Sequence, residues 1–197
     1  MGYKIRPVST FQDIECICAI YGVYVEGSTA TWAYAPEELP KPLEYEAKWK
    51  AAQARSLPWL VAVSDSEEGC KDGEVIGYCT VGEFRGRAGW RNTCEHGIYV
   101  AQGWQKRGVG KALLTAALEG CKSAGVACLV AVISVHPPTG AGLASRNLHL
   151  SLGFERAGYL TGAGLKLGKV LDCEFLAKYL VPLQPSGEDN AGVKIEQ

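Results

Sequence analysis

The sequence predicts an α/β fold with one mixed central sheet of about six to seven strands, flanked by about four helices. Two apolar, strand-like runs at residues 59–63 and 74–81 are separated by a short polar stretch, which is typical of an antiparallel hairpin. An amphipathic helical pattern at 109–122 lies between strand-like runs at 93–100 and 126–133. A strand–helix–strand order of this kind usually joins parallel strands, so the sheet is expected to be mixed.

The remaining elements follow from local signals in chain order. A short strand is predicted at 5–8, and Thr10 precedes Asp13 at the spacing of a capping box, which predicts a helix over 13–21. Glycine, serine and proline residues then interrupt the chain before a second helix at about 43–55. The elements predicted after the crossover are a short helix at 144–151, a strand near 156–159, a glycine-rich loop and a last strand at 170–179.

The composition is that of an ordinary globular domain. The 197 residues include 20 Lys and Arg against 21 Asp and Glu, so the net charge of −1 argues against a nucleic-acid partner. No apolar run approaches the ~20 residues of a membrane helix, and the amino-terminal segment lacks an apolar signal core. We therefore expect a cytoplasmic protein without a membrane partner. One domain is expected over residues 1–181, followed by a polar, disordered tail over 182–197.

Eight cysteines raise the question of disulfides or a metal site. No C-x-x-C pair occurs, and the three histidines, His96, His136 and His149, are not spaced from the cysteines as zinc ligands are. Several cysteines lie in apolar strand-like runs, where a free thiol packs as a small apolar group. Reduced cysteines and no structural metal are therefore expected.

Residues 105–110 lie between the end of a predicted strand and the start of a predicted helix, and they include two glycines. Free backbone N–H groups at a helix start bind phosphate, and glycine permits a tight turn and close approach of a ligand. Gly103 and Gly108 have the spacing of a triphosphate-binding loop, but Val109 and Gly110 stand where that loop requires Lys and Ser or Thr. The third glycine of a dinucleotide fingerprint is absent as well. A phosphate-binding turn of another type is therefore predicted.

Gln105, Gly108 and Gly110 fit the pattern Q/R-x-x-G-x-G/A, and this turn resembles the pyrophosphate-binding turn of the GNAT acetyltransferases. Over about residues 5–180 the chain is similar to the phosphinothricin acetyltransferase branch of that superfamily, which includes methionine sulfone and sulfoximine acetyltransferases. The segments that carry the resemblance are 20–21, 24–26, 28–29, 58–62, 82–90, 93–95, 98–100, 105–110, 130–133, 145, 148–149 and 152–154. The resemblance implies a GNAT fold, acetyl-CoA as co-substrate, the free amine of a small amino-acid-like acceptor, and a homodimer.

The resemblance also implies where acetyl-CoA binds. The strand end at 98–100 is expected to splay from its neighbour and to offer unpaired backbone groups to the pantetheine arm and the thioester, where N–H groups stabilise an oxyanion. The glycine turn is expected to hold the pyrophosphate, with positive side chains around it. The cofactor-binding residues expected are Ile98, Tyr99, Val100, Gln105, Lys106, Arg107, Gly108, Val109, Gly110, Lys111 and Ser145.

Glu95 is the expected catalytic base. An ammonium cannot attack a thioester until it loses a proton, and a carboxylate at the mouth of the site can accept that proton, usually through water. Glu95 matches the glutamate that precedes the family's V-Y-V strand; the alternative is a strand glutamate that only faces solvent. His96 alternates to the other face of the strand, which disfavours it as a second base.

Substrate contacts are expected from two loops and a helix. Within the loop 82–90, the resemblance aligns Arg85, Arg87 and Trp90 with residues that hold an acidic ligand. A guanidinium binds a carboxylate or phosphinate through paired hydrogen bonds, although solvated surface positions are the alternative for both arginines. The other expected substrate residues are Glu26, Ser28, Thr29 and Trp32 in an earlier loop and His149 in the short helix. The alternatives there are a structural Ser-Thr turn and a packed helix histidine.

The chain departs from the family pattern in two places. The family's asparagine near the cofactor falls close to Gly142, inside a longer loop at 134–143, so cofactor contacts after residue 133 are expected to differ. Leu167 and Leu171 replace polar or aromatic positions, which weakens the case for phosphinothricin itself as the substrate. Two other functions stay open: a protein or peptide N-acetyltransferase, and a non-catalytic acyl-CoA-binding sensor.

Overall fold

The structure, a computed structural model, describes residues 2–65 and 73–183 of the chain. Most of the polar turn predicted at 64–73, and nearly all of the predicted tail, lie outside these ranges. Within them the chain forms seven strands and four α-helices. The strands are β1 (Tyr3–Pro7), β2 (Trp59–Ser64), β3 (Val75–Glu83), β4 (Thr93–Val100), β5 (Cys128–Val135), β6 (Glu155–Lys166) and β7 (Lys169–Tyr179). The helices are α1 (Phe11–Gly27), α2 (Pro42–Ala54), α3 (Val109–Ser123) and α4 (Leu143–Ser151).

All seven strands belong to one sheet, in the order β1-β2-β3-β4-β5-β7-β6. In the described part of the chain, β4 and β5 are the only parallel neighbours, and α3 lies between them in the sequence. Every other neighbouring pair is antiparallel. The predicted mixed α/β sheet, with its early hairpin and its strand–helix–strand crossover, is confirmed.

Helices cover both faces of the sheet. Tyr99 of β4 packs against Tyr21 and Tyr24 of α1, with ring centroids 5.0 Å apart in each pair. On the opposite face, a Cβ on Gly77 of β3 would lie 3.3 Å from Leu113 of α3. Because α2 packs beside α1 and α4 packs beside the start of α3, the sheet has an α1/α2 face and an α3/α4 face.

A polar cluster fixes the start of α1 against β1. Thr10 and Asp13 form the predicted capping box, and Arg6 of β1 donates two hydrogen bonds, of 2.8 and 2.7 Å, to the Asp13 carboxylate. These bonds hold the pKa of Asp13 well below its usual range, although burial of the carboxylate opposes them. α1 then runs to Gly27, where the sequence predicts a break, and its end delivers residues 26–32 to one side of the sheet.

The carboxyl-terminal hairpin differs from its prediction. The sequence predicts a short strand near 156–159 and then a glycine-rich loop, but the structure has one long strand, β6, whose pairing with β7 shifts register between Leu160 and Gly164. β6 is an edge strand, where glycines and register shifts interrupt the ladder at low cost. The turn into β7 has positive φ at Leu167 and Gly168, of 51° and 72°. The predicted loop was therefore wrong, because Gly162 and Gly164 lie within β6.

Three further features concern membrane-spanning helices, metal-binding side chains and the cysteines. No helix in the ranges 2–65 and 73–183 is both long and apolar enough to cross a membrane. In the same ranges, no group of three or more His, Cys, Asp or Glu side chains could hold a metal ion. Seven cysteines in the described ranges carry free thiols, and burial raises the pKa of Cys79 and Cys121, which keeps these thiols protonated. Cys70 lies outside the described residues.

Candidate active site

Strand β4 separates from its parallel neighbour partway along its length. Its pairing with β5 covers only Thr93 to Glu95, whereas its pairing with β3 continues to Val100. The segment from Ile98 to Val100 therefore has one edge that no strand covers, as the resemblance implies for the pantetheine arm. Within the described residues, backbone groups along this edge have no partner on another strand, although Val100 O accepts a hydrogen bond from Tyr24 Oη. An extended ligand can bind to the remaining groups much as a further strand would.

The opening leads directly to the glycine turn and the start of α3. The N-cap of α3 is Gly108, with a φ of 84°, and the helix begins at Val109. Because glycine has no side chain to cap the first N–H groups of the helix, these groups are available to an anion. The turn therefore has the backbone geometry and the charge that a phosphate requires. The exposed side chains around it are Gln105, Lys106, Arg107 and Lys111.

Helix α4 packs against the start of α3 and the end of β4. A Cβ on Gly110 would lie 3.4 Å from Leu148 of α4 and 3.8 Å from Val100 of β4. Three elements therefore meet beside the opening, and the space at Gly110 is enough for a Cβ in ordinary van der Waals contact. Ser145, a predicted cofactor contact, is half-buried in the first turn of α4.

The loop before α4 depends on a glycine. Gly142 is the N-cap of α4 with a φ of 89°, and a Cβ there would lie 2.3 Å from the backbone oxygen of Ser134. Any side chain at this position forces the loop or the end of β5 to move. The asparagine that the family pattern places near this point therefore does not fit this loop, in agreement with the departure noted in the sequence.

Glu95 lies on the α1/α2 face at the last position of β4 that is paired with β5. Because alternate residues of a strand share a face, Glu95 points the same way as Thr93 and Tyr99, and away from His96. The residue is exposed, yet desolvation by the protein around its carboxylate raises the pKa of Glu95, and the positive charge of Arg85 opposes this rise. A raised pKa makes a carboxylate a better proton acceptor for an amine.

A cavity of about 790 Å³ lies on the same face of the sheet. Its wall includes Thr93 and Val130, and Val130 is the residue paired with Glu95. Arg85 and Trp90 of the predicted substrate loop also line it, whereas Arg87 lies outside its lining. The rest of the wall is mostly apolar and comes from β5, β6, β7 and residues 180–183. The structure thus brings a cation and an aromatic side chain to the wall of one cavity, and the Glu95 carboxylate lies next to that wall without lining it.

The loop that follows α1 is attached to the tip of the β6–β7 hairpin. Trp32 packs on Gly164, where a Cβ would lie 2.7 Å from the indole ring. Lys166 is 2% exposed, and its Nζ donates to Thr31 O at 3.0 Å. Tyr34 Oη donates to the backbone oxygen of Leu165. The unexpected length of β6 therefore brings a buried lysine to the predicted substrate loop.

The other predicted residues of this loop lie at the end of α1. Glu26 is exposed in the last turn of the helix, and Ser28 is its C-cap. Ser28 Oγ accepts the N–H of Ala30 at 3.0 Å, and the backbone oxygen of Thr29 accepts a hydrogen bond from Ser134 Oγ. Ser28 and Thr29 therefore both help to shape the turn, which is the structural role that the sequence leaves as the alternative to substrate binding.

The buried His149 and the half-buried His96 form a pair on the α3/α4 face. His149 is 1% exposed; its Nδ1 lies 2.7 Å from Ser145 O, and its Nε2 lies 2.8 Å from His96 Nε2. His96 Nδ1 lies 3.1 Å from the backbone oxygen of Val130. Burial lowers the pKa of both histidines, to about 3 for His96. The structure places His149 as a packed helix histidine that connects α4 to β4.

Two residues that the sequence does not mark as functional lie at the centre of this arrangement. Tyr24 of α1 donates from Oη to Val100 O at 2.6 Å and accepts from Gln105 Nε2 at 2.8 Å. The other is Lys166, at the hairpin tip. Tyr24 lies in the segment 24–26 that carries the resemblance, but the sequence assigns no role to it or to Lys166, because the partners of both side chains are distant in the chain.

A mixed sheet that opens between two parallel strands, with an uncapped helix start and positive side chains beside the opening, is suited to an extended ligand that carries phosphate. A carboxylate with a raised pKa adjoins the opening on the other face, beside a cavity large enough for a second ligand. This combination is characteristic of acyltransferases that take their acyl group from coenzyme A.

Comparison with known proteins identifies the family. The sequence profile of the Acetyltransferase (GNAT) family matches residues 20–154, and the protein belongs to this family. An L-methionine sulfoximine/L-methionine sulfone acetyltransferase of Pseudomonas paraeruginosa is 35% identical over 182 residues, which cover 92% of this chain and 97% of that protein. The membership and the branch that the sequence indicated are confirmed.

Two solved structures share the fold. A GNAT superfamily phosphinothricin acetyltransferase from Sinorhizobium meliloti, in complex with acetyl-CoA, has a TM-score of 0.78 and 30% identity, and the match covers 91% of this chain and 89% of that one. A ribosomal-protein-alanine N-acetyltransferase from Brucella melitensis has a TM-score of 0.75 and 32% identity, covering 90% and 99%. The names of these proteins thus include small-molecule and protein acetyltransferases.

Proposed function

We propose that this protein transfers the acetyl group of acetyl-CoA to the free amine of a small amino-acid-like substrate, with Glu95 as the general base. One observation carries the proposal: β4 leaves β5 immediately after Glu95, so the candidate base adjoins the opening on whose edge the thioester would bind. The methionine sulfoximine and phosphinothricin acetyltransferases named above support the substrate class.

Acetyl-CoA would use the opening and the turn together. The pantetheine arm pairs with the free edge of β4, and the pyrophosphate binds the uncapped N–H groups at the start of α3. Positive side chains around the turn add attraction for the phosphates, and Ser145 at the start of α4 adds a polar contact. The residues proposed to bind it are Ile98, Tyr99, Val100, Gln105, Lys106, Arg107, Gly108, Val109, Gly110, Lys111 and Ser145.

Two protons leave the substrate nitrogen, and the first must be accepted before the nitrogen can attack. Glu95 accepts a proton from the substrate ammonium, directly or through a water molecule, and the neutral nitrogen attacks the thioester carbon. The N–C bond forms, the C–S bond breaks and coenzyme A leaves as a thiolate, while the nitrogen gives up its second proton, which the thiolate takes directly or through solvent. A thiol with a pKa of ~8.5 is a good leaving group, so no protein acid is required. N–H groups on the free edge of β4 stabilise the charge that develops on the carbonyl oxygen.

The acceptor would bind on the α1/α2 face. Arg85 lines the cavity and its charge acts on Glu95, so a substrate held there has its acidic group near a cation and its amine near the base. Trp90 would form one wall. The loop of Glu26, Ser28, Thr29 and Trp32 lies outside the cavity lining and is bonded to Ser134 at the end of β5, so it would contact the acceptor from that end of the site. Arg87 would contribute long-range attraction for an anion, because it lies outside the cavity lining.

A homodimer is also proposed, from the apolar surface of the last hairpin. Large apolar side chains are exposed along β6 and β7, and the cavity wall continues onto the apolar residues 180–183. A second copy that packs on this surface would remove it from water. The exposed side chains are Tyr159, Leu160, Leu165, Leu167, Val170 and Tyr179. Light scattering should then give about twice the chain mass of 21.1 kDa; a monomer at micromolar concentration would contradict the dimer.

The test of the substrate class is a thiol-release assay with acetyl-CoA and a panel of acceptors. The panel includes methionine sulfone, methionine sulfoximine, phosphinothricin, the common amino acids and peptides beginning with alanine. Turnover of free amino acids, with little turnover of peptides or of amines without an acid group, supports the proposal. The name of the Brucella relative favours protein N-termini as the second candidate, which predicts the reverse preference. Binding of coenzyme A without any turnover would indicate a sensor. A cytoplasmic location stays a prediction.

A further inference from the structure

We propose that Tyr24 is a positioning residue that holds the cofactor strand and the phosphate turn in fixed relation to the substrate-facing loop. The inference rests on the proposed function, because it assumes that the opening beside β4 holds coenzyme A. It assigns to α1 a role in cofactor binding that no motif of the sequence indicates.

The hydroxyl of Tyr24 joins three elements through two hydrogen bonds. A backbone carbonyl only accepts, so the Tyr24 proton points to Val100 O, at 2.6 Å. The same oxygen accepts from Gln105 Nε2, at 2.8 Å. Val100 is the last residue of β4, in the part that β5 does not cover, and Gln105 is the first residue of the phosphate turn. One hydroxyl thus connects α1 to both parts of the cofactor site.

The backbone carbonyl of Tyr24 is bonded to residues of the predicted substrate loop and of the β6–β7 hairpin. Its carbonyl oxygen accepts the N–H of Ser28, at 3.1 Å, which closes the end of α1 ahead of the predicted substrate loop. It also accepts from Lys166 Nζ, at 3.5 Å, and the same ammonium donates to Thr31 O at 3.0 Å. Lys166 is buried at the tip of the β6–β7 hairpin. A continuous chain of hydrogen bonds therefore runs from the phosphate turn, through Tyr24, to the loop after α1.

The ring of Tyr24 is held as well. It meets the Tyr99 ring edge-on, with centroids 5.0 Å apart, and Tyr99 belongs to the same free segment of β4. Packing fixes the position of the hydroxyl, and the hydroxyl fixes the side chain of Gln105, which is otherwise exposed. A turn that is ordered before its ligand arrives loses less conformational entropy on binding. Removing the hydroxyl alone should therefore weaken coenzyme A binding.

The test is a double-mutant cycle measured as the dissociation constant of coenzyme A by calorimetry. The variants are Tyr24→Phe, Gln105→Leu and the two combined. Tyr24→Phe keeps the ring and should raise the dissociation constant about fivefold, the usual effect of one hydrogen bond. Gln105→Leu should do the same, and the double variant should be no worse than either, because both remove one link. In steady-state kinetics at saturating acetyl-CoA, Tyr24→Phe should raise KM for the amine while kcat stays within about twofold.

Tyr21→Phe is the matched control. Tyr21 lies on the same helix and meets the same Tyr99 ring at 5.0 Å, but its hydroxyl interacts with Thr31 Oγ1 and the Tyr99 side chain rather than with Val100 O or Gln105. Its affinity for coenzyme A should equal that of the wild type. Unchanged affinity in Tyr24→Phe, additive losses in the double variant, or an equal loss in Tyr21→Phe would overturn the inference. A coupled loss of affinity in a protein that acetylates none of the tested amines would support the role of Tyr24 and overturn the proposed substrate class.

Discussion

Alanine should have opposite effects on stability at two glycines of the phosphate turn that are two positions apart. Gly108 has a φ of 84°, and a left-handed conformation of this kind costs an L-residue about 1–2 kcal/mol. Gly110 lies within α3 without a positive φ, and alanine is more stable than glycine inside a helix by about 0.5–1 kcal/mol. The same chemical change is therefore unfavourable at the first position and favourable at the second.

The space around the two glycines does not reverse these signs. A Cβ at position 108 would meet the hydroxyl of Tyr3 at 3.2 Å, the far end of a flexible side chain that can move. A Cβ at position 110 would meet Leu148 at 3.4 Å, an ordinary van der Waals contact. Alanine also restricts the unfolded chain, which offsets about 0.4–1 kcal/mol of the strain at position 108. We expect Gly108→Ala to lower the free energy of unfolding by about 1 kcal/mol, and Gly110→Ala to raise it by about 0.5 kcal/mol.

The affinity for coenzyme A should also differ between Gly108→Ala and Gly110→Ala. Strain at residue 108 is relieved by rotation of a neighbouring peptide, which turns an N–H group away from the phosphate. One charge-assisted hydrogen bond lost in this way corresponds to about tenfold or more in the dissociation constant. Gly110→Ala leaves the turn unchanged and should bind within about twofold of wild type. The assays are urea unfolding and calorimetry; equal stability changes in the two variants, or unchanged binding in Gly108→Ala, would refute the reasoning.

Three further predictions concern charge and pH. Arg85→Ala should raise KM for amino acids at least about tenfold and Arg85→Lys should restore only part, because a lysine cannot form the paired hydrogen bonds, whereas an amine without an acid group should show no change. The pKa of Asp13 is lower in the folded state than its ordinary value. Its contribution to the free energy of unfolding is therefore present above about pH 4 and is lost as the pH falls below that value. Asp13→Asn should lower the free energy of unfolding by about 2 kcal/mol at pH 7 and should reduce its dependence on pH below about pH 4. Burial lowers the pKa of His96, so the unfolded chain binds more protons and stability should fall between about pH 6.5 and about pH 3. His96→Gln should reduce this slope, and an unchanged slope would exclude His96 as its source.

Local patterns in the sequence predict most of the fold. Alternating and continuous apolar runs gave β2 to β5 within a few residues, and the capping box at Thr10 and Asp13 gave the start of α1. These signals work because they arise from burial and hydrogen bonding between near neighbours in the chain. β6 was mispredicted since glycine indicates a turn locally, while an edge strand tolerates glycine through register shifts that only its pairing with β7 reveals.

The residues of the candidate site also differ in whether local sequence patterns indicate them. The glycine turn and Glu95 stand out in the sequence because their spacing reflects local backbone geometry. Tyr24, Lys166 and the contact between His96 and His149 do not, because each depends on partners brought together by the sheet. Burial of His149, and its bond to His96, could be known only once α4 was placed against β4.

The most direct test of the account is the rate of acetyl transfer by Glu95→Gln across the pH range, measured together with its affinity for coenzyme A. Glutamine keeps the size of the side chain but cannot accept the proton, so kcat with a good amino-acid acceptor should fall about 100-fold or more near neutral pH, where the amine is protonated. Coenzyme A should bind as in wild type, because the side chain of Glu95 points away from the α3/α4 face. Glu83→Gln, a change at an exposed glutamate that pairs with Arg55, is the control and should keep the wild-type rate. A Glu95→Gln enzyme that acetylates the amino acid at the wild-type rate from acid to alkaline pH would contradict the account.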